Sequence, residues 1–549
     1  MTQETALKIL QTGANVFLTG APGSGKTHTI NQYVAWLRMH GIPPAVTAST
    51  GIAATHIGGM TIHSWSGIGI KKNLSPYDLD AIASNERLSK RIHRATTLII
   101  DEISMLGAET LDMVDAVCKE VKGNGKPFGG LQVVLVGDFF QLPPVEGNFA
   151  FCSSIWRKTL PLTCYLSEQH RQDEEIFLKL LGDIRSGKAG KEVEQVLSGR
   201  IVEEKNAPKE TTRIYSHNED VDQINEERLM KIVGKTREFK MSSHGPGSMV
   251  ATLKRGCLSP EKLSLKIGAK VMFTKNSMEG KFVNGTLGEI REFGTDGLPI
   301  VKTLRGRRIE VEVMDWTITD GTKVLAKISQ IPLRLAWAIT VHKSQGVTLD
   351  AAIVDLTHAF EYGQGYVALS RVRSLNGLHV VGWNNRALAV HPKISGQDLN
   401  FKMESASARK AFEEMPTEDH AKLIRSFLTF SGGNTKGDVV TKKYGGKQKS
   451  STLDTTLLLL KSGKDFAEIA ESRKLIGSTV VAHVIELCSL GRITKQDVAP
   501  LIPAEIKDAL PIIHAAMDEN PEGRLKPIFE KFRGKYSYQN LRLAKMLKN

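Results

Sequence analysis

The octapeptide GAPGSGKT, residues 20–27, has the residue types and spacing of a phosphate-binding loop. Its glycines let backbone N–H groups approach phosphate oxygens without a Cβ in the way. Lys26 can reach the terminal phosphates of a nucleoside triphosphate, and the hydroxyl of Thr27 can bind Mg²⁺. The sequence therefore predicts ATP and Mg²⁺ as cofactors. The residues expected to bind the nucleotide here are Gly20, Ala21, Pro22, Gly23, Ser24, Gly25, Lys26, Thr27 and His28.

Two carboxylates follow the apolar residues that open the segment LIIDEISML, residues 98–106. Asp101 is suited to hold Mg²⁺, directly or through water, and Glu102 is suited to polarise an attacking water. Neighbouring side chains at the end of a strand point to opposite sides, so the two carboxylates can act in different directions. The pair therefore predicts a hydrolytic reaction.

A third motif, GDFFQLPPV at residues 137–145, follows the apolar run 131–136. We expect it at the same carboxyl edge of a parallel sheet, where α/β proteins bind ligands. Gln141 can hydrogen-bond both a γ-phosphate and a water, so it can report the state of the nucleotide. Phe139 and Phe140 offer apolar or stacking surface.

Each motif also fits an ordinary structural role when it is taken alone. The first could be a glycine turn before a helix, and the second could begin a loop. The third could be a strand-end turn with two core phenylalanines. Their occurrence together, in this order, favours ATP hydrolysis.

The elements around these motifs predict an α/β fold. Apolar strands are expected at 15–19, 44–49, 96–101 and 131–136, with helices at 29–40 and 108–121. Buried strands separated by helices indicate a parallel sheet that is covered on both faces. Short strands with glycine turns at about 266–325 indicate a small β-barrel insert. The α/β pattern then returns at 334–356.

Length, charge and cysteine usage narrow the class of protein. A chain of 549 residues predicts about three to five domains. The net charge of +14 suits a partner with a phosphate backbone, although a generally basic surface remains an alternative. Five cysteines without a CxxC pair indicate reduced thiols and no zinc site. We see no signal peptide and no membrane-spanning run in the sequence, so for a prokaryotic protein we expect a cytoplasmic, nucleoid-associated location.

The three motifs and several further stretches resemble the PIF (petite integration frequency) branch of superfamily 1B DNA helicases, relatives of RecD and Dda. The resemblance covers about residues 1–385. The further matching stretches are MTQETALKIL (1–10), VTASTGIAATHIGGMTIHSW (46–65), LSEQHRQDEEIFLKLLGDIRSG (166–187), FVNGTLGEI (282–290), AWAITVHKSQGVTLD (336–350) and GYVALSRVRS (365–374).

The resemblance implies an ATP-dependent 5′→3′ DNA helicase that acts in replication, repair, recombination or telomere maintenance. It implies two RecA-like P-loop NTPase lobes. Lobe 1A would span 1–165 with a wedge insert at about 64–95, and lobe 2A would span 166–400 with an SH3-like insert at about 266–325. The lobes would close on ATP·Mg²⁺ and reopen after hydrolysis, and the wedge would split the duplex.

The resemblance also implies roles for individual residues. Gln3 would read adenine. Arg171 and Arg371 would reach the γ-phosphate from the second lobe and complete a catalytic set with Lys26, Glu102 and Gln141. The residues that would contact DNA are Thr50, His63, Trp65, His342, Lys343 and Ser344. For His63 and Trp65, packing in the core is an equally open alternative.

The last part of the chain predicts a separate helical domain. Residues 401–450 are expected to form a connector whose end, 431–450, holds five lysines and five glycines and is typical of a flexible basic linker. Within 451–549, the pattern of helix, turn and helix at 455–493 resembles the C-terminal domain of RecQ-type helicases. Such a domain would bring Ser478, Thr479 and His483 near DNA. A helix-turn-helix is also a common protein–protein element, so that alternative stays open.

The expected partners are single-stranded DNA and duplex or forked DNA, with no membrane. The protein is expected to be a monomer that can dimerise on DNA. Two other functions remain as alternatives: an RNA helicase or ribonucleoprotein remodeller, and a DNA-binding regulator that uses ATP as a switch.

Overall fold

The computed structural model describes the chain apart from residues 58, 70, 169–174, 204–210, 217–218, 278–280, 283, 305, 321–322, 436–451, 474, 476, 521–524 and 549. The chain divides into two units. The first contains 1–62, 97–108 and 132–437, and the second contains 63–96, 109–131 and 438–549. The predicted linker 431–450 lies outside the described residues from position 436 onward.

The N-terminal third of the chain alternates helices and strands. In chain order its elements are α1 (Gln3–Gln11), β1 (Val16–Gly20), α2 (Lys26–Met39), β2 (Ala45–Ala48), α3 (Gly51–His56), β3 (Met60–Thr61), α4 (Ile62–Ser66), α5 (Pro76–Ser84), α6 (Glu86–Arg94), β4 (Thr97–Asp101), α7 (Ala108–Lys122), β5 (Gln132–Val136), α8 (Ser154–Thr159) and β6 (Leu162–Leu166). The strands form one parallel sheet in the order β3-β2-β4-β5-β1-β6. All the predicted strands and both helices of this region are found.

A second parallel sheet is built from strands that lie far apart in sequence. The elements from 175 to 256 are α9 (Glu175–Arg185), α10 (Lys191–Ser198), β7 (Thr212–Tyr215), α11 (Glu219–Met230), β8 (Arg237–Lys240), β9 (Ser242–His244) and α12 (Gly247–Gly256). Strand β7 pairs in parallel with two strands that come more than a hundred residues later, β18 (Ala338–Thr340) and β19 (Ala352–Leu356). Strand β20 (Leu378–Trp383) completes the sheet order β18-β7-β19-β20.

The segment between the strands of this second sheet is rich in antiparallel strands. Its further elements are β10 (Lys262–Leu265), β11 (Lys270–Phe273), β12 (Leu287–Phe293), β13 (Pro299–Thr303), β14 (Arg308–Glu310), β15 (Met314–Asp320), β16 (Lys323–Gln330) and β17 (Leu333–Leu335). They form the sheets β10-β8, β14-β13-β12-β11-β17 and β15-β16-β9. These strands extend beyond the predicted limits 266–325 at both ends. The early strands β8 and β9 are polar and largely exposed, so they carry no apolar alternation that a sequence pattern could show.

The remaining elements are helical. They are α13 (Val341–Ser344), α14 (Gln364–Leu369), α15 (Asn385–Leu388), α16 (Pro392–Glu413), α17 (Thr417–Phe430), α18 (Thr452–Lys461), α19 (Phe466–Arg473), α20 (Gly477–Ser489), α21 (Lys495–Val498), α22 (Ala504–Asp518), α23 (Leu525–Lys531) and α24 (Tyr538–Lys548). Helix α16 runs through the predicted domain boundary at residue 400, because buried residues such as Phe401, which contacts Phe17, continue its packing inside the first unit. Within the described part of the chain, no helix is long and apolar enough to cross a bilayer.

One buried glutamine joins the sheet of the first unit to the helices that cover it. The side-chain oxygen of Gln132, on β5, accepts hydrogen bonds from the hydroxyls of Tyr33 (2.7 Å) and Thr97 (3.0 Å). Its amide nitrogen donates to the carbonyl oxygens of Leu10 (3.0 Å) and Ala14 (2.9 Å). All the hydrogen-bonding capacity of this buried side chain is therefore used.

We expect Gln132→Leu to lower the free energy of unfolding of the first unit by about 2–3 kcal/mol, because buried polar groups then lose their partner. The thermal midpoint, followed by differential scanning fluorimetry, should fall by about 5 °C. The matched control is Gln32→Leu on the exposed face of α2, which should shift the midpoint by less than about 1–2 °C. Equal midpoints for the two variants would contradict this role of Gln132.

Candidate active site

The predicted phosphate-binding loop lies between the end of β1 and the start of α2. Gly23 and Gly25 have left-handed backbone angles, with φ of 88° and 87°, which glycine adopts without steric cost. The Lys26 ammonium donates hydrogen bonds to the carbonyl oxygens of Gly20 (2.7 Å) and Ala21 (3.1 Å). Helix α2 begins at Lys26, so its free N–H groups and the positive end of its dipole lie at the loop. This is the local geometry that binds phosphate groups.

A cavity of about 530 Å³ opens beside this loop, within the first unit. It gathers residues that are far apart in sequence and that the motifs had singled out. Three further residues line it that the sequence had not indicated: Gly346, Thr348 and Arg373. All three lie inside stretches that resemble the helicase family, 336–350 and 365–374. Their residue types alone gave no reason to assign them to the site. The complete lining is Pro22, Gly23, Gly25, Lys26, Thr27, His28, Glu102, Gln141, Gly346, Thr348, Arg371 and Arg373.

The two predicted carboxylates are held at the end of β4. The Asp101 carboxylate accepts a hydrogen bond from the N–H of Glu102 (2.8 Å), and the Glu102 carbonyl accepts one from the Ser49 hydroxyl (2.7 Å). Glu102 has a φ of 53°, an uncommon angle for a residue other than glycine. Burial, followed by the neighbouring Asp101 charge, raises the pKa of Glu102 to about 7, and burial also raises the pKa of Asp101. Two adjacent carboxylates with limited access to water favour a cation between them and the nucleotide.

This donor set fits Mg²⁺ bound together with a nucleotide. Within the described ranges, no group of three or more His, Cys, Asp or Glu side chains could hold a metal ion by itself. Mg²⁺ in nucleotide sites usually takes only one or two protein ligands and completes its shell with phosphate oxygens and water. The Thr27 hydroxyl, on a residue that lines the cavity, and the Asp101 carboxylate, at the end of β4 and within electrostatic reach of Lys26, are oxygen ligands of the required kind.

Arg371 reaches the cavity from helix α14 and the turn that follows it. Its side chain is 1% exposed, and it donates hydrogen bonds to the Val367 carbonyl (2.9 Å) and the Ser370 hydroxyl (2.8 Å). The positive charge of Arg371 favours the ionised form of Glu102. A guanidinium in this place can also meet a phosphate group in the cavity. The second predicted arginine, Arg171, lies outside the described residues.

The start of α14 abuts the backbone of the GDFFQ motif. Gly363 has a φ of 79°, and a Cβ built on it would lie 2.6 Å from the Gln141 carbonyl oxygen and 2.7 Å from that of Phe140. Glycine is required there both by the backbone angle and by the close approach. The helix that leads to Arg371 is thereby placed directly against the backbone that carries Gln141.

A buried ion pair also supports this motif. Arg185, in α9, donates to the fully buried Asp138 carboxylate at 2.8 Å and stacks over the Phe140 ring at 4.3 Å. Burial alone would lower the pKa of Arg185, but the Asp138 carboxylate raises it well above its usual range. Phe139 packs among the aromatic rings around Phe17. Both phenylalanines are therefore core residues here, the structural alternative that the sequence left open.

Gln3 lies against the phosphate-binding loop. Its side-chain amide donates to the Ser24 carbonyl (3.3 Å), and its backbone N–H donates to the Glu168 carboxylate (3.1 Å). The structure thus places Gln3, which precedes the loop by 17 residues in the sequence, in contact with the loop. Its reading of adenine stays a prediction.

The residues predicted to contact DNA in the first unit fall into two groups. The side chains of Thr50 and Ser344 serve local structure: the Thr50 hydroxyl accepts from the Ala53 N–H (3.2 Å), and the buried Ser344 hydroxyl donates to the Val341 carbonyl (2.7 Å). Lys343, by contrast, lines a second cavity of about 700 Å³. The other basic residues of this second cavity are Arg255, Lys262, Lys266 and Arg334. His342 is partly buried, which lowers its pKa.

The residues predicted to contact DNA in the second unit are mostly buried. Trp65 is 2% exposed, and Arg91 donates to its carbonyl oxygen (2.6 Å). Its ring is therefore packed in the core, which is the alternative that the sequence left open. Burial lowers the pKa of His63. Ser478 and Thr479 are 8% and 0% exposed, which conflicts with the predicted DNA contact through these side chains.

The contact between Gly363 and Gln141 can be tested by adding one methyl group. Gly363→Ala should slow ATP hydrolysis about 10–100-fold, because the strained Cβ displaces the backbone of Gln141 and α14 with it. The affinity for a fluorescent ATP analogue should stay within about threefold, since the phosphate-binding loop is untouched.

The matched control is Gly396→Ala in α16, where an added Cβ meets no atom within 4 Å. This variant should hydrolyse ATP like the wild type. Hydrolysis at the wild-type rate in Gly363→Ala would show that the contact does not position the site.

Comparison with known protein families agrees with this geometry. The model of PIF1-like helicases matches residues 3–195, and a helix-turn-helix domain model matches residues 452–545. The chain is 38% identical to the "ATP-dependent DNA helicase Pif1" of Psychrobacter sp. (strain PRwf-1), and the alignment covers 99% of both chains.

Two solved structures of Pif1 from Bacteroides are also similar. One, in complex with ADP-AlF4, superposes with a TM-score of 0.65 at 31% identity and covers 73% of this chain and 96% of its own. The other, bound to single-stranded DNA, has a TM-score of 0.53 at 31% identity and covers 74% and 97%. The two parallel sheets described above are thus the two expected RecA-like lobes. With a relative so similar over its full length, the chain belongs to the PIF1-like helicase family and is an ATP-dependent DNA helicase.

Proposed function

We propose that this helicase moves in the 5′→3′ direction along single-stranded DNA and separates the strands of duplex or forked DNA. The direction rests on the resemblance of the whole motif set to superfamily 1B. The single observation that carries the mechanism is the ATP cavity, which residues of the phosphate-binding loop share with Arg371. A site that needs two lobes can link its chemistry to their relative motion.

The residues around the cavity divide the work of hydrolysis. Lys26 binds the terminal phosphates, and Glu102 accepts a proton from the attacking water, for which its raised pKa near neutrality suits it. Thr27 and Asp101 would hold Mg²⁺, which neutralises charge on the phosphate oxygens when it is bound. Arg371 stabilises the negative charge that builds up as the γ-phosphate leaves.

Gln141 links hydrolysis to movement. Its side chain is on the cavity wall, while its backbone is in contact with Gly363 at the start of α14. A change in the hydrogen bonds of Gln141 after hydrolysis would therefore shift the helix that leads to Arg371. The buried pair of Asp138 and Arg185 keeps this motif rigid, so that the change is transmitted instead of absorbed.

The second cavity is the proposed contact with the DNA backbone in the first unit. Its walls carry five basic side chains, including Lys343 and Arg334, against two acidic ones, Asp222 and Glu226. The Lys343 ammonium lies 3.9 Å from the exposed Asp222 carboxylate, so this long ion pair can open for a phosphate group. Together with His342, these residues would bind the phosphates of the strand without reading its sequence.

Strand separation on two tailed duplexes tests this proposal. With ATP and Mg²⁺ present, the protein should unwind a duplex with a 5′ single-stranded tail and leave one with a 3′ tail intact. Lys26→Ala serves as the inactive control and should unwind neither, because it loses the phosphate contact. Unwinding from the 3′ tail alone would overturn the proposed direction, and unwinding by Lys26→Ala would overturn the mechanism.

A further inference from the structure

The second unit joins the C-terminal helical domain to an insert that interrupts the first lobe. The insert consists of helices α5 and α6, which meet at Asn85. Residues 83–86 form the bend between them and are called the insert corner below. Side chains from three helices of the C-terminal domain, α19, α20 and α24, contact this corner and the turn of α5 that precedes it.

The corner contains a backbone carbonyl at the end of α5 that can accept a hydrogen bond from outside the helix. The carbonyl of Ala83 belongs to the last turn of α5, where carbonyl groups lack an intrahelical partner. The hydroxyl of Thr479, in α20, donates to it at 3.0 Å and is fully buried. The C-terminal domain thus completes the hydrogen bonding of a helix that is almost four hundred residues earlier in the chain.

The carboxylate of Glu86, the first residue of α6, is contacted by two nitrogen donors from the same domain, one on a histidine and one on an arginine. His483 Nε2 lies 3.2 Å from one of its carboxylate oxygens, and Arg473 Nη2 lies 3.8 Å from the other. His483 is itself held from behind by Thr456, 3.0 Å from its Nδ1. Both donors are nearly inaccessible to solvent, with side-chain exposures of 5% and 7%.

A third contact comes from the last helix. Arg542, in α24, donates to the Ser84 hydroxyl at 2.7 Å and forms an ion pair with Asp80. Its positive charge lies at the C-terminal end of α5, where the helix dipole favours a cation. The rings of Tyr538 and Tyr77 add an edge-to-face contact with centroids 5.4 Å apart.

These contacts use the helix that would read DNA in a DNA-binding helix-turn-helix domain. In such domains the second helix enters the major groove. Here that helix is α20, and its residues Thr479 and His483 are occupied by the insert corner. DNA bases cannot reach these two side chains while the contacts last.

We propose that the C-terminal helix-turn-helix domain is a brace that recognises the insert corner and fixes the angle between α5 and α6. This rests on the proposed function, strand separation, and on the expectation from the family resemblance that the insert is the wedge that splits the duplex. A wedge must resist the force of the strands it parts, and two short helices joined at one residue have little stiffness alone. The brace supplies this stiffness through polar contacts on both sides of the bend.

The brace should affect strand separation and leave the ATP site alone. All residues that line the ATP cavity belong to the first unit, whereas the corner and the brace belong to the second. Variants that loosen the brace should therefore uncouple unwinding from ATP hydrolysis. A DNA-reading domain would instead lose affinity for duplex DNA when the same residues are changed.

Two single substitutions in the full chain, one on each side of the contact, test the proposal. They are Glu86→Gln in the insert and Arg542→Met in the C-terminal domain. Hydrogen exchange of the backbone amides in 76–94 should speed up by about tenfold in each variant, because opening of the corner becomes easier. Unwinding of a duplex with a 5′ tail should slow by at least about fivefold, and ATP hydrolysis stimulated by single-stranded DNA should stay within about twofold of the wild type.

The matched control is Arg492→Met, which removes an ion pair with Asp454 inside the C-terminal domain and away from the insert. It should leave exchange in 76–94 and unwinding unchanged. Unchanged exchange in the two test variants would overturn the docking, and faster exchange with normal unwinding would overturn its role as a brace. An equal loss of hydrolysis and unwinding, or a loss of duplex affinity, would also contradict it. If the wild type fails to unwind from a 5′ tail, the proposed function fails, while the exchange result still decides the docking.

Discussion

The structure depends on opposite charges buried together around the phosphate-binding loop. Lys26 opens helix α2, Asp101 and Glu102 lie at the end of β4, and Arg371 follows helix α14. Lys26 and the two carboxylates are half-buried and Arg371 is buried, so water has limited access to these charges. Such groups are costly to bury unless their partners are held in place. The sheets, the glycine contact at Gly363 and the pair of Asp138 and Arg185 all serve to hold them. The same burial gives the electrostatic strength that a phosphate transfer reaction requires.

The sequence predicted most of the site because its chemistry is local. The loop, Asp101, Glu102 and Gln141 lie at strand ends, and strand ends can be recognised from short apolar runs. What escaped prediction depends on contacts across long separations: the buried partner of Asp138, the cavity residues Gly346, Thr348 and Arg373, and the extent of the β-rich insert. Trp65 and Thr479 were expected at DNA because their types suit it. Burial, which a single sequence does not show, decided against them.

The C-terminal helix-turn-helix domain makes contacts within the protein through the helix that reads DNA in other domains of this kind. A family model identifies the helix-turn-helix in 452–545, and that fold alone would suggest DNA reading. Its second helix instead completes hydrogen bonds at the bend of an insert in the first lobe. The motor and the brace would then have separate tasks: the first unit converts ATP into movement, and the second presents a stiff edge to the duplex.

The role of Arg371 in the ATP cavity is the centre of this account, and the hydrolysis rate of Arg371→Lys tests it most directly. Lysine keeps the positive charge and much of the volume but loses the planar fork that binds phosphate oxygens. The measurement is steady-state ATP hydrolysis with saturating single-stranded DNA, beside the affinity for ATP and the thermal midpoint. We predict an ATP affinity within about threefold of the wild type, an unchanged thermal midpoint and a hydrolysis rate about 10³-fold lower. Hydrolysis within a few-fold of the wild type would contradict it, since the cavity would then work without the arginine of the second lobe.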